Sequence, residues 1–198
     1  MWQHASPLSL GMENASNATR NLPFSRSYWV IPGQLLAGAY PGSSGPAEGR
    51  TKIAGLIEAG VTRVVSLMYE SERNHAGQAF VDYTTAVRAL AVERGRAIEC
   101  FRHPIVDGSV PTGAVMKQLL DRIDEELSAK GTVYVHCWGG RGRTGTVVCC
   151  WLIRHRLVVP GKAVDHLQTL VRHNAAAFHP TPENEKQKDF VRNWLAGA

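Results

Sequence analysis

Between Gly131 and Arg154 the chain passes from a short β-branched run, through a glycine-rich turn, into an unbroken apolar stretch. This passage constrains the fold more than any other. Gly131-Thr-Val-Tyr-Val-His136 alternates as a buried strand does. Thr144 to Arg154 contains Val147, Val148, Cys149, Cys150, Trp151, Leu152 and Ile153, apolar on every side, as expected of a helix enclosed in a domain core. So short a connection sets Cys137 at the carboxyl end of a strand and aims the helix N-terminus back at it.

The connection is Cys137-Trp-Gly-Gly-Arg-Gly-Arg143. Gly139, Gly140 and Gly142 allow backbone conformations that turn successive N–H groups inward, and the helix N-terminus adds partial positive charge. Such a bowl suits a phosphate or sulfate dianion. Arg143 can supply two parallel charge-assisted hydrogen bonds that a lysine could not. The same donors would hold the Cys137 sulfur as a thiolate at neutral pH. A buried structural cysteine before an ordinary glycine turn would account for Cys137 alone, but not for the whole setting.

His136-Cys-Trp-Gly-Gly-Arg-Gly-Arg-Thr-Gly145 resembles the active-site loop of the cysteine-dependent protein tyrosine phosphatase superfamily. The segment from Ser27 to Pro41 also resembles the first two strands of its dual-specificity branch, so the similarity runs over residues 25–198. The resemblance implies a phosphomonoesterase that needs no metal or other cofactor and works through a cysteinyl-phosphate. It makes Cys137 the nucleophile and Arg143 the phosphate ligand, within a loop of His136, Trp138, Gly139, Gly140, Arg141 and Gly142. Asp107, in a Gly/Ser/Pro-containing loop before a helix, becomes the general acid; read alone, it is more readily a turn or capping aspartate. Thr144 would hydrogen-bond the sulfur or cap the helix. His136 would orient the loop or be a satisfied core histidine. Gln187 matches a glutamine that positions water in some members, against the alternative of an exposed helical glutamine.

The rest of the chain reads as alternating strands and helices. After the opening hairpin we expect a helix over 46–60, a strand over 61–68, and a helix over 76–94 with Phe80, Tyr83, Val87 and Leu90 on one stripe. A strand over 99–103, a helix over 111–130 and a capped amphipathic helix over 181–194 complete the pattern. The fold class expected is α/β, a mainly parallel central sheet flanked by helices in a single domain, with ligands at the carboxyl ends of the strands. Residues 1–24, rich in Asn and Ser, read as an N-terminal arm, and the sequons at Asn14 and Asn17 as accidental.

Four cysteines without paired spacing argue against a disulfide framework and for a reducing, cytoplasmic setting. Cys149 and Cys150 belong to the buried helix, while Cys100 is a candidate partner for a reversible disulfide with Cys137, as in some relatives. No window is long and apolar enough to span a membrane. The net charge of +5 favours anionic ligands without the clustered basic tract of a nucleic-acid binder. The expected partner is a phosphorylated protein or another phosphomonoester, met by a monomer.

Arg141 leaves the substrate open. Several phosphoinositide phosphatases carry a cation there, which favours an inositol-phosphate or phosphoinositide substrate; those enzymes also have a lysine where this chain has Trp138. An ordinary salt-bridged arginine explains Arg141 as well. A catalytically silent phosphate-binding module is the remaining alternative. Tyr28 and the loop from Glu70 to Gly77 are candidate rim elements.

Overall fold

Strand alternation sorts the interior into two cores on opposite faces of one sheet. In a computed structural model, which describes residues 22–173 and 179–198, five strands carry this pattern. They are β1 (Ser27–Ile31), β2 (Leu35–Gly38), β3 (Arg63–Ser66), β4 (Glu99–Arg102) and β5 (Val133–His136), in the order β1-β2-β5-β3-β4. Only β1 and β2 pair antiparallel, so the sheet is mainly parallel as expected. Odd positions such as Leu35, Val65, Val133 and Val135 face one way; Leu36, Val64 and Tyr134 face the other.

The second face is covered by α1 (Pro46–Glu58) and α2 (Thr84–Glu93), through Ile53, Leu56, Ile57, Val87 and Leu90. The first is covered by α3 (Gly113–Ser128), α4 (Gly142–Arg154), α5 (Pro160–Val171) and α6 (Glu185–Arg192). In α3, Met116, Leu119, Leu120 and Ile123 are completely enclosed, a four-residue stripe at helical spacing. The α4 helix is buried from Gly142 to Ile153, which explains why its sequence is apolar all round. Burying side chains of this size contributes roughly 1.5–3 kcal/mol each before entropy is counted. The parallel strands all end on one edge, where the β5–α4 and β4–α3 loops meet.

Three expectations change. The helix expected over 76–94 begins at Thr84, because residues 74–82 spend their hydrogen bonds locally. Asn74 Oδ1 accepts from the N–H groups of Ala76 and Gln78, and Asp82 Oδ1 accepts from Thr84 N–H at the helix start. Phe80 therefore leaves the helical stripe and packs in a loop against Tyr40 and Trp138. The C-terminal helix is shorter than expected, starting at Glu185 behind the N-cap Asn184, which forms a capping box with Gln187. The α5 helix, assigned to no element from sequence, buries Ala163, Leu167 and Val171 at four-residue spacing after Pro160. Among the described residues no helix is long and apolar enough to cross a membrane. The expected N-terminal arm lies outside the described residues through position 21.

Candidate active site

The loop after β5 is shaped by close backbone approaches. Gly140 has φ +73°, and a Cβ there would lie 2.5 Å from the carbonyl carbon of Gly38, so the loop rests directly on the end of β2. At Gly142 a Cβ would come within 2.9 Å of Gln187 Nε2 and Glu183 Oε2. The loop carbonyls are fixed from outside: Arg26 Nη2 donates to Gly139 O at 2.8 Å, and Tyr40 N–H to Trp138 O at 3.0 Å. The α4 helix starts at Gly142 behind Arg141, and no side chain caps it. Its first-turn N–H groups are left to face the loop, where Cys137 sits 3% exposed and free of any disulfide.

Arg143 is the largest completely buried side chain, and its charge is met on several sides. Nη1 donates to Glu72 Oε1 at 2.5 Å and Nη2 to Glu72 Oε2 at 3.0 Å, a bidentate pair. Nη1 also reaches the carbonyls of Leu67 (3.2 Å) and Ile105 (3.0 Å). Asp107 Oδ1 lies 2.9 Å from Nη2. Burial works against the Arg143 charge, but the Glu72 hydrogen bonds and the negative groups Cys137, Glu72 and Asp107 outweigh it and raise its pKa. The Nε donor alone is buried without a partner among the described residues.

His136 is fully buried beneath the loop. Its Nδ1 is 3.3 Å from the Cys137 carbonyl and its Nε2 2.6 Å from the Tyr83 hydroxyl. Both contacts are satisfied when Nδ1–H donates and Nε2 accepts from Tyr83. Burial drives its pKa down to about 3, and the bond to the Cys137 carbonyl only partly offsets this. His136 is thus a neutral strut under the backbone of Cys137. Thr144 is not the helix cap: it lies in the first turn, fully buried, with its hydroxyl donating to Gly38 O at 3.5 Å.

Asp107 projects from a turn closed by Ser109 N–H to Val106 O at 3.0 Å, with Gly108 at φ +67°. Gln187 is fully buried rather than exposed. Its Oε1 accepts from Glu183 N–H (3.0 Å) and its Nε2 donates to Ser109 O (3.3 Å), so it joins the Asp107 turn to the Gly142 corner of the loop after β5.

At the rim, Arg141 pairs with Glu183 at 2.9 Å. Trp138 packs against a tilted His75 ring and edge-on against Phe80, with ring centroids at 4.3 and 5.6 Å. The 70–77 loop does border the site, through Glu72 and His75. Tyr28 is not at the rim: pairing of β1 with β2 turns it into the buried core that also holds Cys137, where it is 3% exposed and its hydroxyl has no hydrogen-bond partner among the described residues. The candidate pairing of Cys100 with Cys137 finds no support in the register. Cys100 belongs to the opposite core, aligned through Val64 with Tyr134, two strands away or about 10 Å laterally and three residues short of Cys137. Disulfides require Cα atoms within roughly 7 Å.

Sequence reasoning missed Glu72, Tyr83, Glu183, Asn184 and Lys186. Only Asn184 carried a local signal, in the spacing Asn184-x-x-Gln187 of a capping box.

Comparison with known proteins places this geometry in a lineage. Human dual specificity protein phosphatase CDC14C is 45% identical over 49 residues, covering 25% of this chain and 10% of that protein. Phosphatidylglycerophosphate phosphatase PTPMT1 of Arabidopsis thaliana is 33% identical over 60 residues, covering 30% of this chain and 18% of that protein. The chain spans less than a fifth of either relative. The crystal structure of Tk-PTP in the active form shares the fold, with TM-score 0.64 at 19% identity over 86% of this chain and 97% of that one. Residues 24–180 match the family model "PTP-SAK: Swiss Army Knife protein, DSP-PTPase phosphatase domain", and the chain belongs to that family.

Proposed function

We propose that this chain hydrolyses phosphomonoesters of tyrosine, and of serine or threonine, in phosphoproteins through a cysteinyl-phosphate. The observation that carries the reading is Arg143, wholly buried, locked by Glu72, and with its Nε donor unpartnered among the described residues. In the first step the Cys137 thiolate attacks phosphorus, and the ester P–O bond breaks as Asp107 gives its proton to the departing oxygen. Arg143 and the first-turn N–H groups of α4 hold the equatorial oxygens. In the second step Asp107, now a carboxylate, takes a proton from water as that water attacks phosphorus. The S–P bond breaks, phosphate leaves and the thiolate returns, stabilised by the Thr144 hydroxyl once it turns from Gly38.

Inositol phosphates or phosphoinositides are the second reading, motivated by Arg141. The ion pair with Glu183 counts against it, because it spends the extra charge at the rim on the protein itself. Trp138, where a second cation would serve such substrates, instead builds an aromatic wall with His75 and Phe80.

The test is phosphate release, with EDTA present, from phosphotyrosine and phosphothreonine peptides, inositol phosphates and phosphoinositide vesicles, compared by kcat/KM. Higher values for the peptides support the reading. Preference for the inositides replaces it with the second, and no release from any substrate leaves a phosphate-binding module.

A further inference from the structure

The acid loop has little of its own to hold it in place. Val106, Asp107 and Gly108 are exposed, and the Asp107 side chain is 62% exposed. Its contact with Arg143 cannot keep it there during reaction, because phosphate would claim the same guanidinium. The segment from Glu183 to Gln187 makes bonds to the loop that phosphate would leave intact. Asn184 Nδ2 donates to Gly108 O at 2.9 Å, and Lys186 Nζ to Ser109 Oγ at 3.0 Å. Together with Gln187, they grip the two residues that follow Asp107. The same segment is tied to the phosphate loop by the Arg141–Glu183 pair, and α6 is anchored by the buried Val191 and Trp194.

We propose that Asn184 and Lys186 are positioning residues: they set the acid loop at a fixed distance from the phosphate loop and keep Asp107 over the leaving group after substrate has displaced it from Arg143. The inference rests on reading Asp107 as the general acid. It assigns a role in the chemical step to two side chains on the α6 cap, neither of which need touch the substrate.

The experiment compares the Asn184→Ser/Lys186→Met double variant with the parent protein. Serine retains an oxygen to cap α6 but is too short to reach Gly108, and methionine retains the stem of Lys186 without its donor. The substrates are a phosphotyrosine peptide, which needs a proton on its leaving oxygen, and p-nitrophenyl phosphate, which needs little. The expected result is an about tenfold lower kcat on the peptide, part of the total that general acid catalysis supplies. The basic limb of its pH profile should weaken, with p-nitrophenyl phosphate turnover and inhibition by inorganic phosphate unchanged. Equal losses on both substrates, or none on either, overturn the inference. Asp107→Asn assayed alongside separates the two layers: equal losses in that variant overturn the assignment of the acid, and this inference with it. A thermal melt matching the parent's confirms that the double variant is folded.

Discussion

Asp107 Oδ1 stands 2.9 Å from Arg143 Nη2, so the residue assigned to deliver a proton and the residue assigned to hold phosphate are bound to each other. Phosphate entering the loop must replace a carboxylate at the guanidinium. Asp107→Asn removes that competing charge along with the acid. We expect tighter inhibition by inorganic phosphate together with a kcat on phosphotyrosine peptide lower by about 10² or more. Steady-state kinetics with phosphate as inhibitor measure both effects. Weaker phosphate binding in the variant would mean that Asp107 helps build the phosphate site instead of competing for it.

Glu72 neutralises Arg143 through both guanidinium Nη atoms, with both carboxylate oxygens engaged and its side chain 17% exposed. Removing one member of a buried pair costs about 3–5 kcal/mol, and the partial exposure of Glu72 and the remaining Asp107 contact reduce this. Glu72→Gln should therefore lower stability by about 2 kcal/mol in urea titration. KM for phosphopeptide should rise, because the guanidinium loses its fixed orientation. An unchanged KM would show that the carbonyls of Leu67 and Ile105 suffice to aim it.

Gly140 and Gly33 share a left-handed backbone, φ +73° and +71°, but differ in their surroundings. A Cβ at Gly33 meets nothing within 4 Å, whereas one at Gly140 meets the backbone of Gly38 and Ala39 at 2.5 to 2.7 Å. Gly33→Ala should cost about 1 kcal/mol, from strain alone. Gly140→Ala should cost about 3 kcal/mol, because the loop must lift from β2, and phosphate binding should fall with it. Paired urea titrations and phosphate titrations measure the difference. Similar costs at both positions would show that the loop can move away from β2 freely.

Local pattern made the strand, loop and helix around Cys137 legible: the β-branched run, the three glycines and the apolar helix lie within one continuous segment. Cys137 and Arg143 could be paired from sequence because the loop itself sets their separation. Asp107 was readable through its Gly-Ser-Val-Pro neighbours, although its contact with Arg143 was not. The residues that escaped notice act across the fold. Glu72 meets Arg143 from 71 positions away, and Asn184 meets Gly108 from 76, with no shared periodicity to announce either pairing. Tyr28 misled because strand pairing, rather than composition, decides which face a side chain takes. Phe80 fits a helical stripe that hydrogen bonds to the Asn74 and Asp82 side chains pre-empted, whereas Tyr83 keeps its place on that stripe as the N-cap.

His136 gives the protein an acid sensitivity of identifiable origin. Burial lowers its pKa from 6.5 to about 3, so between these values the unfolded chain binds a proton that the folded one refuses. Its contribution to stability is complete above pH 6.5 and is lost progressively as pH falls toward 3. Asparagine at this position can keep a donor near the Cys137 carbonyl while carrying no titrating group. His136→Asn should therefore be less stable than the parent at neutral pH, where the bond from Tyr83 to the ring is missing, yet should lose stability more slowly on acidification. Urea unfolding at a series of pH values across that window gives both slopes. Parallel slopes would mean that the acid sensitivity comes from the carboxylates and not from His136.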